Sequence, residues 1–221
     1  MDENEKIVKK KDDPGLDRMK MGVAQLKDTL GKTDIYLLDQ ILKGQFLPGH
    51  RILDAGCGSG RNLYWFTQNN YGKLYGIDQK KSCMETLQKD TLLNAGHFAV
   101  AKMEDMPFPA DFFDRIICNA VLHFAKSEAH FFEMIGELWR TLKPGGVVFI
   151  RMTSIFGIEG LAEPIGNGNY QIPDGTQRFL LTTKLLEEWQ ERFPFEWIEP
   201  LKTVNVANER AMSTLVLKGK D

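Results

Sequence analysis

Apolar and polar residues alternate from residue 50 onward with periods that switch between those of strands and helices. Short apolar runs bounded by turns or acids predict five strands: Arg51–Asp54, Leu74–Asp78, Phe98–Val100, Arg115–Cys118 and Val147–Ile150. Before the last run, an apolar face with helical spacing predicts a helix that Ser127 caps. Strands that alternate with helices pair in parallel through right-handed crossovers, so the pattern predicts a doubly wound α/β fold.

The C-terminal region follows a different pattern. Residues 182–193 predict a helix, and two extended segments follow it at 197–206 and 211–217. A short polar turn at 208–210 joins these segments, and strands joined by so short a link pair antiparallel. The sequence therefore predicts a mostly parallel, seven-stranded sheet with a C-terminal antiparallel hairpin.

The remaining segments predict additions to a single domain that covers residues 16–221. Residues 1–15 alternate lysines with acids and predict a mobile N-terminal tail. Helical spacing at 16–48 predicts a helical cap over the domain. Residues 153–181 are rich in glycine and lack a regular apolar pattern, which predicts a substrate lid.

Composition narrows the classes of protein. The formal net charge is −2, which argues against a nucleic-acid partner or an anionic membrane held by bulk electrostatics. Cys57, Cys83 and Cys118 are widely spaced without a CxxC pair, so we expect reduced thiols and no metal site. An apolar run long enough to span a membrane is missing from the sequence, and the N-terminus is charged. We expect a cytoplasmic monomer or homodimer.

The strongest chemical signal is a glycine cluster directly after the first predicted strand, Asp54-Ala55-Gly56-Cys57-Gly58-Ser59-Gly60. Glycine permits positive φ and lets a ligand approach the backbone closely. Asp78 ends the second predicted strand, where a carboxylate can accept both hydroxyl hydrogens of a ribose. Together they indicate a cofactor that contains a nucleoside. The alternative is a tight turn that needs glycine for purely structural reasons.

Four motifs in this order resemble the class I S-adenosylmethionine-dependent methyltransferases, over roughly residues 50–151. They are Asp54-Ala55-Gly56-Cys57-Gly58-Ser59-Gly60, Gly76-Ile77-Asp78, Glu104-Asp105-Met106-Pro107-Phe108-Pro109 and Leu142-Lys143-Pro144-Gly145-Gly146. The predicted terminal hairpin agrees with that family's sheet. The resemblance implies a Rossmann-like methyltransferase fold, S-adenosyl-L-methionine as cofactor, S-adenosyl-L-homocysteine as product, and methyl transfer by in-line displacement.

The resemblance also implies roles for the residues nearest the methionine part of the cofactor. Gly56 and Gly58 would line the methionine moiety. Asp54 would order the turn or meet the cofactor's amino group through water. Asn119, at the end of the fourth strand, would offer its carbonyl or side chain near the same amino group.

For the nucleoside part, the resemblance implies that Asp78 binds the ribose and that Gln79 lies against the adenine. Met103 and Glu104 would flank the adenine ring and its exocyclic amine. Many relatives have an acid or amide where Lys102 stands, so recognition of the amine would depend on backbone groups or on Glu104 here.

Candidate acceptor-side residues follow from position. His123 comes just beyond the fourth strand, where ligands of open α/β sheets bind, and its ordinary pKa suits a general base. Contact with the cofactor or acceptor and a purely structural role are the alternatives. In the predicted lid, Tyr170 and Arg178 could bind a polar or acidic acceptor, although Arg178 could instead pair with a surface acid. His130 is predicted to be solvated.

The near-neutral chain and the predicted lid favour a small-molecule acceptor. A protein or RNA acceptor, and a non-catalytic relative that still binds the cofactor, remain alternatives. A nicotinamide-dependent dehydrogenase is disfavoured, because Arg61 and Asn62 follow the GxGxG sequence where the GxGxxG spacing would be needed.

Overall fold

A computed structural model describes residues 22–90 and 92–220. In chain order the strands are β1 (Ile52–Ala55), β2 (Leu74–Asp78), β3 (Phe98–Val100), β4 (Phe113–Asn119), β5 (Leu142–Ser154), β6 (Glu163–Gly166), β7 (Asn169–Gln171), β8 (Gln177–Phe179), β9 (Phe195–Trp197), β10 (Lys202–Val206) and β11 (Arg210–Gly219). The helices are α1 (Val23–Leu30), α2 (Ile35–Leu42), α3 (Tyr64–Gln68), α4 (Lys81–Leu87), α5 (Glu128–Thr141) and α6 (Thr183–Arg192). Short 3-10 helices cover Ala95–His97 and Leu122–Phe124.

The main sheet has the strand order β10-β11-β5-β4-β1-β2-β3. Strands β1 to β5 pair in parallel, whereas β11 pairs antiparallel with β5 and β10. The predicted doubly wound fold with a C-terminal hairpin is therefore confirmed. The short strand β9 also pairs with β11 and adds an eighth strand to the predicted seven.

The sheet order reverses beside β1, which lies between β2 and β4. Asp54 in β1 is opposite Gly76 of β2 on one side and Ile117 of β4 on the other. The helices that connect these strands therefore cover opposite faces of the sheet. A crevice opens at the carboxyl ends of the strands at such a switch point, and ligands of open α/β sheets bind there.

Helices cover both faces of the sheet, because adjacent residues of a buried strand point in opposite directions. Ile116 of β4 packs in an apolar cluster with α5 and α6, whereas the next residue, Ile117, packs in a second cluster with α2, α3 and α4. Helix α5 begins after Ser127, whose side chain accepts a hydrogen bond of 3.1 Å from the backbone N–H of His130. This cap confirms the predicted start of α5.

The N-terminal and lid predictions have different outcomes. Helices α1 and α2 form within the predicted cap; α2 buries Leu37, whereas α1 has no fully buried residue. The predicted tail at 1–15 lies outside the described residues. The prediction that residues 153–181 are irregular was wrong, because β6, β7 and β8 form a separate antiparallel sheet there. Asn167 and Gly168, with φ of 57° and 77°, form the two-residue turn between β6 and β7.

Candidate cofactor and acceptor site

A cavity of about 310 Å³ opens at the carboxyl ends of the central strands. This volume is at the lower end of the range of roughly 300–1,000 Å³ for small-molecule sites. Six of the predicted cofactor residues line the cavity, namely Gly56, Gly58, Asp78, Gln79, Met103 and Glu104. The wall on the other side is formed by Ala120, Val121, Phe124, Lys126, His130 and Met134.

The loop after β1 needs glycine at position 56 for a steric reason. Gly56 has a φ of 81°, and a Cβ atom there would lie 2.3 Å from Cγ2 of Val121. The backbone N–H groups of Gly56 and Cys57 both donate to the carbonyl of Ile77 at 2.9 Å, so the loop is tied to the end of β2. The loop therefore holds a fixed conformation beside the cavity wall.

Gly58 has a different environment from Gly56. Its φ is 53°, and a Cβ atom there would have no protein atom within 4 Å. Because Gly58 also lines the cavity, the missing side chain leaves open space against the backbone. This arrangement is the backbone cradle that a closely bound ligand requires.

Asp78 lies at the end of β2 with its carboxylate on the cavity wall. Oδ2 accepts a hydrogen bond of 2.9 Å from the backbone N–H of Gly58, and Oδ1 accepts one of 2.8 Å from that of Lys80. Each carboxylate oxygen has a second lone pair. The half-buried side chain is therefore fixed in place and can still accept hydrogen bonds from a ligand.

Glu104 contacts two basic groups at the cavity wall. Its Oε2 lies 3.4 Å from Nε2 of His130, and its Oε1 lies 3.9 Å from Nζ of Lys102. Burial alone would raise the pKa of Glu104, but its own backbone N–H, His130 and Lys102 outweigh burial and lower that pKa. Nδ1 of His130 accepts a hydrogen bond of 3.1 Å from the backbone N–H of Lys126. The prediction that His130 is solvated was wrong, because it lines the cavity beside Glu104.

Asp54 and Asn119 lie behind the wall and do not line the cavity. Both are buried; in the described part of the chain both polar side-chain atoms of Asn119 lack a hydrogen-bond partner, and the carboxylate of Asp54 has only the nearby side chain of Asn62, without a hydrogen bond of good geometry. Burial raises the pKa of Asp54 to about 7. Unpartnered buried polar groups are rare in folded proteins and often mark a site for a ligand or water. Asp54 comes two residues before the wall residue Gly56, and Asn119 directly precedes the wall residue Ala120.

Ala120 is a site residue that the sequence analysis missed. It lines the cavity with a φ of 64°, a left-handed conformation that costs a non-glycine residue about 1–2 kcal/mol. Its N–H donates to the carbonyl of Arg151 at 2.8 Å, and the turn brings Val121 over Gly56. The left-handed conformation of Ala120 could not be predicted from the sequence, since alanine is common in both helices and strands and does not indicate a positive φ.

His123, Tyr170 and Arg178, the predicted acceptor residues, are not among the residues that line the cavity; Arg178 is half-buried and lies over the ring of the wall residue Phe124. His123 is buried within the 3-10 helix Leu122–Phe124, and burial, Arg178 and Arg210 together lower its pKa to about 4. Its ring contacts the ring of Phe124 edge-on, with 4.4 Å between centroids. Tyr170 packs instead against the apolar cluster that contains Ile158, Ala162, Ile172, Leu180 and Ala211. In this region, Phe124 is therefore the residue that lines the cavity.

Comparisons with known proteins point to the same class of protein as the fold and the cavity. Residues 53–150 match the family model of a methyltransferase domain. A tRNA U34 carboxymethyltransferase of Idiomarina loihiensis is 26% identical over 156 residues, which are 68% of this chain and 46% of that protein. A sterol 24-C-methyltransferase of Schizosaccharomyces pombe is 35% identical over 105 residues, which are 45% of this chain and 27% of that protein. The chain thus spans less than half the length of these relatives.

A crystal structure of a SAM-dependent methyltransferase from Methanosarcina mazei shares the fold, with a TM-score of 0.64 at 19% identity. The match covers 81% of this chain and 97% of that one. The methyltransferase family model and the shared fold therefore confirm the predicted resemblance to class I, S-adenosylmethionine-dependent methyltransferases and agree with the predicted cofactor.

The residues of the cavity fit S-adenosyl-L-methionine chemically. The open backbone at Gly58 and the fixed carboxylate of Asp78 suit a ribose, and buried Met103 supplies an apolar surface for a base. The poorly satisfied polar atoms of Asp54 and Asn119 suit the charged amino-acid end of the molecule. Within residues 22–90 and 92–220, no helix is long and apolar enough to cross a membrane, and no cluster of acids, histidines and cysteines is suited to a metal ion.

Proposed function

We propose that this chain transfers the methyl group of S-adenosyl-L-methionine to a small-molecule acceptor. The observation that carries the proposal is a single cavity with two different walls. The wall built by Gly58, Asp78 and Glu104 is polar and suits the nucleoside, whereas the other wall presents the apolar side chains of Val121, Phe124 and Met134 together with Lys126 and His130. Two walls of such different character suit two ligands that must meet end to end.

The cofactor roles follow from position on the polar wall. Asp78 binds the ribose hydroxyls, and Gln79 and Met103 hold the adenine. Glu104, kept ionised by its basic neighbours, accepts a hydrogen bond from the exocyclic amine. Glu104 would thereby recognise the amine, although Lys102 occupies the position where many relatives have an acid or amide.

The methionine end lies towards the glycine loop, where Gly56 and Gly58 line the cavity. Asp54 and Asn119 lie behind this loop with poorly satisfied polar atoms and bind the cofactor's amino group through water. A cationic ammonium near Asp54 would favour its ionised form and offset the effect of burial on its pKa.

Bound S-adenosyl-L-methionine supplies a methyl group that is already activated as a sulfonium, so the chain has mainly to position and to exclude water. Phe124, Val121 and Met134 form the apolar surface against which the acceptor is aligned. His123 lies behind Phe124 and is not assigned as the general base, because an imidazole with a pKa of about 4 is a weak base near neutral pH.

The sheet of β6, β7 and β8 is proposed to be the lid of the acceptor site. Nδ2 of Asn169 donates to the carbonyl of Lys126 at 3.2 Å, and Arg178 lies over the ring of Phe124. These contacts join the sheet to two residues of the cavity wall. Closure of such an element on both ligands would keep water from the reacting atoms.

The experiment is a methyl-transfer assay with S-adenosylmethionine labelled in its methyl group. Acceptors fall into three arms, namely small organic molecules that include sterols, transfer RNA, and protein extract. Labelled product in the first arm supports the proposal. Label in RNA or protein alone would overturn the small-molecule acceptor, and binding of S-adenosylhomocysteine without transfer in any arm would indicate a non-catalytic relative.

A further inference from the structure

An arginine without a role in cofactor binding, Arg178, lies against Phe124 at the acceptor side of the cavity. Phe124 lines the cavity with about 60% of its surface exposed, and the guanidinium carbon of Arg178 lies 5.2 Å from the centre of its ring. Within the described residues, Arg178 has no carboxylate within ion-pair distance, and its Nη1 donates to the carbonyl of Gln177 at 2.8 Å. The guanidinium therefore keeps free donors beside an exposed aromatic ring.

The imidazole next to this ring also lacks a partner. His123 is 7% exposed, and its Nδ1 has no hydrogen-bond partner in the described part of the chain. Arg178 and Arg210 both lie near enough to act on the charge of His123. Arg210 is balanced by Asp174, whose Oδ2 lies 3.6 Å from its Nη1. Of the two arginines near His123, Arg178 is therefore the one without a carboxylate partner in the described part of the chain.

We propose that Arg178, His123 and Phe124 form a subsite for an anionic group of the acceptor. The acceptor is then a small organic anion, with a carboxylate or phosphate at Arg178 and an apolar part against Phe124. A guanidinium binds either group through two parallel N–H donors. Its position over Phe124 orients that fork before the ligand arrives. This inference depends on the proposed function, since it assigns a charge to the acceptor of that reaction.

The charges around the cavity agree with this division. The acids on the wall, Asp78 and Glu104, belong to the cofactor half, where Lys80 and Lys102 also line the cavity beside them. Lys126 lines the acceptor half, is exposed, and has no ion pair within the described residues. An anion entering from this side therefore meets cations before it meets the two carboxylates. Such an arrangement raises the rate of encounter with anions and disfavours cationic acceptors.

The test compares matched ligands that differ in one charge. Aromatic and aliphatic carboxylic acids, each paired with its primary amide, and the corresponding phosphate monoesters are titrated calorimetrically into protein saturated with S-adenosylhomocysteine. We expect members of the acid set to bind at least about tenfold more tightly than their amides, the size of one charge-assisted hydrogen bond. Relative binding of carboxylates and phosphates identifies the anionic group.

Variants locate the effect at the subsite. Arg178→Gln should weaken the acids about tenfold or more and leave the amides and S-adenosylhomocysteine unchanged. The matched control is Arg192→Gln, because Arg192 also stacks on a phenylalanine, Phe132, but lies on α6 away from the cavity. It should change none of these affinities. Arg178→Lys, which keeps the charge and loses the fork, should fall between wild type and Arg178→Gln.

A nuclear magnetic resonance titration of His123 provides a second readout, since a bound acid should raise its pKa. Amides that bind as tightly as acids, acids that do not bind, or acid affinities that survive in Arg178→Gln would each overturn the subsite. The acid and amide titrations are repeated without S-adenosylhomocysteine, so that the comparison tests the subsite by itself. A separate failure of S-adenosylhomocysteine to bind would overturn the proposed function.

Discussion

Oδ2 of Asp78 accepts a hydrogen bond of 2.9 Å from the backbone N–H of Gly58. This contact joins the carboxylate at the end of β2 to the glycine loop that follows β1. The two strongest chemical signals of the sequence are therefore parts of one structure. The loop presents its open backbone and the carboxylate to the same side of the cavity.

We predict that Asp78→Ala weakens binding of S-adenosylhomocysteine about tenfold or more, because charge-assisted hydrogen bonds to the ribose contribute roughly 1.5–3 kcal/mol each. Calorimetry on the folded variant measures the change. Glu187→Ala, which removes an exposed carboxylate from α6, is the control and should bind like wild type. Unchanged affinity in folded Asp78→Ala would show that the ribose is held elsewhere.

The glycine loop permits a test that separates backbone strain from ligand contact. Gly58 and Gly44 have φ of 53° and 73°, and neither would bring a Cβ atom within 4 Å of protein. Alanine should therefore destabilise both sites by about 1–2 kcal/mol in thermal unfolding. Because Gly58 alone lines the cavity, Gly58→Ala should also lower the affinity for S-adenosylhomocysteine about tenfold or more.

Gly44→Ala should leave that affinity unchanged, since Gly44 precedes β1 at the amino edge of the sheet. Equal affinities in the two alanine variants would refute the backbone cradle at Gly58.

Asp54 predicts a pH dependence of opposite sign to that of most carboxylates. Burial raises its pKa to about 7 in the folded state, against about 3.9 in the unfolded chain. Between these values the folded state holds the proton and the unfolded state does not. The contribution of Asp54 to stability is therefore greatest below about pH 4, declines as the pH rises to about 7, and is constant above it.

Unfolding in urea between pH 4 and 8 measures this contribution. The free energy of unfolding of wild type minus that of Asp54→Asn should fall by about 1.4 kcal/mol per pH unit between about pH 4 and 7, on the order of 4 kcal/mol in total, and should stay constant from about pH 7 to 8. A difference that does not vary with pH would mean that Asp54 is ionised in the folded protein.

Much of the fold could be predicted because its signals are local. The apolar runs that became β1 to β5, the cap at Ser127 and the turn at 208–210 each depend on neighbours in the chain. The sheet of β6, β7 and β8 was missed although Asn167-Gly168 is a strong hairpin signal. Its strands are only three or four residues long, so they carry too little alternation to indicate a sheet.

In the candidate site, too, residues with local sequence signals could be predicted and residues placed by tertiary packing could not. Gly56, Gly58 and Asp78 were predictable because backbone approach and ribose binding need particular residues at fixed spacing from strand ends. His130 and Phe124 were missed, since their place on the wall depends on how α5 and the 3-10 helix pack against the sheet. Tyr170 was predicted to bind the acceptor because it lies in the glycine-rich segment, but in the folded chain its side chain packs against an apolar cluster.

The lid makes a prediction in hydrogen exchange. Amides of β6, β7 and β8 should exchange more slowly when S-adenosylhomocysteine and the acceptor found in the methyl-transfer assay are both present. The amides of β4, which lies in the centre of the sheet, serve as an internal control and should be unaffected. Full protection of the small sheet in the ligand-free protein would make it a rigid wall and exclude a lid.

The most direct test of the central claim is calorimetric titration of the wild-type protein with S-adenosylhomocysteine and, separately, with NAD. The cavity should bind one S-adenosylhomocysteine per chain and no NAD. The melting temperature should rise accordingly, by the equivalent of about 2.7 kcal/mol at ~100 times the dissociation constant. Binding of NAD without binding of S-adenosylhomocysteine would contradict the account.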